Sequence, residues 1–189
     1  MFQHVTVLVS FIFALALTHV FSSASNLIIE RERVRFSGLL AVTMLNAALG
    51  IIINWLFLFQ LHNIIRWSLS EVLLQLMWVV PQYFTASLVA MPRGGKSLDM
   101  AAFYERQRPA IYSAFLALFV LGGFENFADR HNLANWASNE WIGADVISAA
   151  FAICSIVAGW AKARWLQWAG AIGVFALSAW FLGSYTIGP

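Results

Sequence analysis

Charged residues are scarce in this chain. Asp, Glu, Lys and Arg make up 11% of its 189 residues, against about 25% in soluble domains. Too few charges are present to cover a water-facing surface, which excludes an ordinary soluble domain. Cysteine occurs once, as Cys154 inside an apolar run, so there is no disulfide framework and no cysteine-based metal site. HExxH, CxxC, a phosphate loop and a serine-centred nucleophile elbow are all missing. Lys96 and Lys162 stand between apolar runs, so no intramembrane lysine offers a retinal attachment point. The arginines stand at run ends or between runs, which excludes a voltage-sensor helix. His19 finds no second histidine at its depth, so a bis-histidine haem has no ligand pair. The net charge of +2 and the pI near 9 do not point to nucleic acid, because the basic residues sit in short junctions. No motif names a chemistry, and no cofactor is expected.

Apolar residues are abundant, at 61%, and they come in long blocks. Six blocks approach the ~20 residues a membrane helix needs: 5–28, 37–61, 69–91, 111–128, 142–161 and 165–186. The junctions are too short for a second domain, so residues 1–189 are expected to form one all-α bundle of six transmembrane helices. Lys and Arg set its orientation. The first, third and fifth junctions hold nine of them (Arg31, Arg33, Arg35, Arg93, Lys96, Arg106, Arg108, Lys162 and Arg164), and the second and fourth hold Arg66 and Arg130. The odd junctions are therefore expected in the cytoplasm, with both termini on the outer side of a bacterial-type inner membrane. "THVFSSAS" looks like a signal-peptidase site, but "MFQHV" before the run carries no Lys or Arg. A retained first helix is expected. Trp67, Trp136 and Trp141 then fall at the outer boundary, Trp160, Trp165 and Trp168 at the inner one, and Trp180 and Tyr185 towards the outer end, as aromatic belts require.

The third junction has structure of its own. "SLDMAAFYERQRP" offers Ser97 as an N-cap and Asp99 in the first turn, with Glu105, Arg106 and Arg108 on a charged side. This spacing predicts a short interfacial helix, ended by Pro109 or continuing into the fourth span. Its arginines would lie near anionic lipid headgroups.

Polar residues inside the third span form a pattern. Ser68, Glu71, Gln75, Trp78, Gln82 and Thr85 step by three or four and share one helical face. Ser68 and Glu71 also fit a capping box, which would explain Glu71 by structure alone. Gln75 and Gln82 lie deeper, on either side of Pro81's disruption of the helix. At that depth polar side chains serve as glue between helices or line a solvated path. In the second span Thr43, Asn46, Gly50, Asn54 and Phe57 share a face, so Asn46 and Asn54 are expected to meet Gln75 and Gln82. In the first span Thr18, Ser22 and Ser25 share a face beside His19, which would either pack by hydrogen bonding or titrate near neutral pH. The small residues of spans five and six, including Ser148, Ala152, Ser155, Gly159, Gly170, Gly173 and Gly183, read as helix contacts.

The outer side collects acids. Glu71, Glu125, Asp129, Glu140 and Asp145 fall there with His4, His62 and His131, against two arginines, and such a surface draws cations. Glu125 follows Gly122 and Gly123 and lies one turn inside Asp129; it either faces the bundle interior or sits in water at headgroup depth. The first functional reading is a small transport or channel protein for a cation or small polar solute. Glu125, Asp129, Glu71 and Asp145 would form its mouth; Gln75, Trp78, Gln82, Asn46 and Asn54 its middle; and His19, Thr18 and Ser22 its inner part. The second is an accessory subunit of a larger membrane complex. The third is a membrane enzyme or metal-binding protein using the outer His, Glu and Asp residues. Membrane lipids, and a homo-oligomer or larger complex, are the expected partners, with no nucleic acid.

Overall fold

A computed structural model describes residues 2–58, 69–92, 98–129 and 138–184; at 2–3, 71, 98, 125–129, 138–144 and 184 it describes the backbone only. Six α-helices account for nearly all of it: α1 (Phe2–Ile29), α2 (Gly38–Phe57), α3 (Leu69–Val89), α4 (Met100–Asp129), α5 (Ser138–Trp160) and α6 (Arg164–Ser184). A 3-10 turn at Arg31–Arg33 and two-residue strands β1 (Val34–Arg35) and β2 (Leu98–Asp99) complete the described elements. Four helical segments are long and apolar enough to cross a membrane: His4–Ile29, Gly38–Phe57, Val72–Val89 and Arg164–Gly183. Asp145–Trp160 forms a shorter apolar helix. Bulky apolar side chains are exposed around the bundle, among them Phe11 on α1, Phe84 on α3, Ile153 on α5 and Trp180 on α6. Water does not favour such a surface, and lipid does. The chain has the build of a helical membrane protein.

Contacts between helices reveal their order and directions. The neighbours run α1–α3–α4–α5–α6–α2 around a closed array, and α2 also touches α3 and α4. α2 is accordingly the most enclosed candidate span. Ser23 on α1 bonds Met91 just beyond α3, and His19 bonds Tyr83, so α1 and α3 run parallel. Gly38 lies against Trp168 and Phe57 stacks on Phe181, so α2 and α6 also run parallel. Gly159 approaches Tyr112 while Phe151 stacks on Phe119, which makes α4 and α5 antiparallel. Successive helices thus alternate in direction.

Close approach between α5 and α6 depends on glycine. A Cβ on Gly170 would lie 2.6 Å from the Ala158 nitrogen and the Cys154 oxygen, both backbone atoms that cannot swing aside. On Gly173 it would lie 2.7 Å from the Cys154 sulfur. Gly183, expected to serve as a helix contact, meets nothing among the described residues within 4 Å.

The third junction takes one of its two expected courses and differs in its cap. Its helix continues into the fourth span, since α4 runs unbroken through Pro109 for 30 residues. The cap is Asp99, whose Oδ1 accepts the N–H groups of Ala101 and Ala102, each at 2.9 Å; Ser97 lies outside the described residues. Asp99 also pairs with Arg35 at 3.3 Å, where β1 and β2 run parallel. The Ala102 amide foremost, with Arg35 adding to it, holds the Asp99 carboxyl below the usual carboxylate range. Helical phase then carries through the proline. Met100, Phe103, Tyr104, Ile111, Tyr112, Phe115 and Leu118 form one buried stripe, anchoring the start of α4 in the core.

Candidate functional site

The polar stripe of α3 faces inward. Gln75, Trp78, Gln82 and Thr85 are all buried, Gln82 at 1% exposure and Thr85 at 0%. Thr85 donates to the Pro81 carbonyl at 2.8 Å, within its own helix. Trp78 lies beside Gly122 of α4, where a Cβ would stand 3.4 Å from the indole nitrogen. Asn54 Nδ2 donates to Gln82 Oε1 at 2.6 Å, both groups buried, so the expected link between spans two and three forms. Gly50 makes room for it: a Cβ there would come within 3.2 Å of Gln82 Nε2. Gln82 therefore turns to α2 and away from the Met77 carbonyl that Pro81 leaves without its helical donor.

Asn46 does not join the glutamines. It donates to the Ala171 carbonyl of α6 at 2.9 Å. Antiparallel register is the reason. If Asn54 is level with Gln82, a residue eight positions earlier on α2 is level with one eight positions later on α3, and that is Ala90. Thr43, next along the same face, donates to Leu39 and meets the Tyr112 hydroxyl of α4 at 3.2 Å. One polar face of α2 thus serves three neighbours, because α2 is surrounded.

The first-span candidates do not line an interior. Thr18 and His19 are exposed on the outside of α1, Thr18 bonding its own helix at Ala14 and His19 reaching the Tyr83 hydroxyl at 3.1 Å. Ser22 is half-buried, and the buried hydroxyl is that of Ser23, which accepts the Met91 N–H at 2.8 Å. The inward face of α1 is Val5, Val9, Phe13, Ala16, Val20 and Ser23. Among the outer acids, Asp145 is half-buried on α5. The side chains of Glu71, Glu125 and Asp129 lie outside the described residues, although the backbone of α4 passes Gly122 and Gly123 without a break. Among the described residues, no group of three or more His, Cys, Asp or Glu side chains gathers to hold a metal.

A second polar cluster, which the sequence pattern did not reveal, lies at the junction end of the bundle. Tyr104, Arg108 and Tyr112 stand one turn apart on the buried stripe of α4. The Arg108 side chain is 15% exposed, so it is enclosed by protein and not spread among headgroups as its charged neighbours implied. Its Nη1 donates to the Ala161 carbonyl at 3.2 Å, and Gln167 Nε2 donates to the same oxygen at 3.1 Å. Ala161 directly follows α5, where helical carbonyls run out of donors and the dipole favours a cation. Arg108 and Gln167 therefore cap α5 from two sides. Glu105, at 3.7 Å, balances the guanidinium. Burial first, then the adjacent Tyr112, keeps the Tyr104 phenol well above its ordinary range, hence neutral. The spacing 104, 108, 112 was the available signal, and it places the three residues on one face only when the helix runs on through Pro109.

No family model matches this chain, and no curated protein or solved structure is similar to it.

Proposed function

We propose that this chain is a six-span protein of a bacterial-type inner membrane, with both termini outside, acting as an accessory or structural subunit of a larger membrane assembly. The observation that carries this reading is the closure of its polar interior. Gln75, Gln82, Thr85, Asn46 and Asn54 are all buried, and the bonds of Gln82, Thr85, Asn46 and Asn54 run to neighbouring helices or to their own backbone where a path would need water. Polar groups used this way join helices. The alternating helix directions support the six-span arrangement, and the excess of Lys and Arg in the odd junctions supports its orientation.

One observation favours transport as the second reading. Among the described residues, Gln82 Nε2 and Asn46 Oδ1 are buried without a hydrogen-bond partner, and water or a polar solute would satisfy both in a more open state. Reconstitution separates the two readings. Vesicles containing the purified chain are expected to pass protons, sodium, potassium and glycerol no faster than empty vesicles. The native protein is expected to migrate as a complex larger than 21.1 kDa. Flux that Gln82→Leu abolishes would overturn the subunit reading. In a Cys154→Ala background, an impermeant thiol reagent added outside is expected to label Ala137→Cys and not Arg33→Cys; the reverse would overturn the orientation.

A further inference from the structure

A hollow of about 460 Å³ opens between α1 and α2, at the end of the bundle that carries the Arg31–Arg33 turn. Small side chains create it: Ala24 on α1 faces Ala41 and Ala48 on α2, and these two helices touch less than most neighbours in the array. Met44 and Met100, both buried, close its floor, and the exposed Phe21, Leu45 and Phe36 flank its opening. The lining is apolar apart from Arg31 at one end. A second hollow adjoins it, sharing Ile28 and Arg31, and carries Glu30, Arg31, Glu32 and Arg33. Among the described residues, Arg31 and Arg33 form no ion pair, in contrast to Arg35 and Arg108.

We propose that this paired hollow binds one zwitterionic phospholipid of the phosphoethanolamine class. Its acyl chain lies along the alanine-lined hollow and its phosphate on Arg31. The volume falls within the range of ligand sites, roughly 300–1,000 Å³, and the apolar lining suits a hydrocarbon chain. Charge complementarity selects the headgroup. Two acids and two arginines alternate in the adjoining hollow, so a phosphate meets guanidinium while an ammonium with N–H donors meets carboxylate. A phosphoglycerol headgroup would satisfy the arginines and leave Glu30 and Glu32 without a counter-charge. Basic pockets between helices at the headgroup level bind lipid headgroups, and here the apolar hollow beside the arginine adds room for an acyl chain.

Photo-crosslinking tests the proposal. The full chain is reconstituted in phosphatidylcholine vesicles with a trace of a phosphatidylethanolamine, a phosphatidylglycerol or a diacylglycerol, each bearing the same diazirine acyl chain. After irradiation, adducts are mapped by peptide mass. Phosphatidylethanolamine adducts are expected to concentrate on residues 20–31 and 41–48, exceeding those of diacylglycerol by about fivefold, the factor one cationic contact is worth near a membrane surface. Arg31→Gln, at an exposed position, is expected to remove that excess, and Arg31→Lys to keep most of it. Ala24→Phe is expected to clear adducts from the hollow with all three probes. Equal labelling of the exposed Phe175 and Trp180 face of α6 would overturn the site. An unchanged excess in Arg31→Gln would overturn the phosphate contact, and stronger labelling by phosphatidylglycerol would overturn the headgroup class.

Discussion

The Asn54–Gln82 bond gives the most direct test of how the interior is held. Replacing Asn54 by Leu keeps the side chain's approximate size and leaves Gln82 with both ends of its amide unpaired, since Nε2 already lacks a partner. Replacing Gln82 by Leu strands the Asn54 amide but removes the existing orphan. A side-chain bond between membrane helices is worth about 0.6 kcal/mol on average and up to about 1.7, and a stranded buried group costs about 1–3 kcal/mol. At 2.6 Å, with both groups buried, the bond belongs in the upper part of that range. Asn54→Leu is therefore expected to destabilise by about 2 kcal/mol and Gln82→Leu by about 1. The double variant should cost less than the sum by about 1 kcal/mol. Unfolding in mixed micelles, followed by tryptophan fluorescence over a denaturing-detergent titration, measures all three. A coupling near zero, or a larger loss in Gln82→Leu than in Asn54→Leu, would refute the antiparallel register of α2 on α3.

The remaining expectations concern a helix contact and a cap. Gly170→Ala should destabilise by about 1–3 kcal/mol, because its methyl meets backbone on α5 at 2.6 Å and outweighs the gain of about 1 kcal/mol in helix propensity. Gly123→Ala, with nothing among the described residues within 4 Å, should be neutral or stabilising in the same detergent titration. The Asp99 cap should be pH-dependent. Its carboxyl is lowered in the folded chain, so its contribution is complete above the ordinary value of 3.8 and is lost as pH falls through the lowered value. Amide exchange at Ala101 and Ala102, corrected for the intrinsic rate, should show protection falling with acid in the native chain and remaining flat in Asp99→Asn. A flat native profile would remove the carboxylate from the cap.

Membrane class and helical build were legible in the sequence because they follow from composition and run length. Lipid leaves backbone groups no partner but the helix itself, so each long apolar run implies one. Facial patterns were legible for the same reason: helical periodicity places Gln75, Gln82 and Thr85 on one side of α3, and Thr43, Asn46 and Asn54 on one side of α2, and both faces are buried. The first span shows the limit of that logic. Thr18 and Ser22 share a face, but every face of α1 is apolar enough to meet either lipid or protein, so periodicity alone did not identify the inward one.

Partners belonged to the tertiary structure. Asn46 meets α6 where α3 was expected, because register set by the Asn54–Gln82 pair moves it past both glutamines. Arg108 reads in sequence as one of several exposed charges, yet it caps α5, because α4 keeps its helical phase through Pro109 and turns that side chain inward. The hollow between α1 and α2 required two separate segments to bring alanines face to face. Local sequence determined that these helices form and which residues share a side. Long-range packing decided what each side meets, since a helix face carries no record of its neighbour until the array closes.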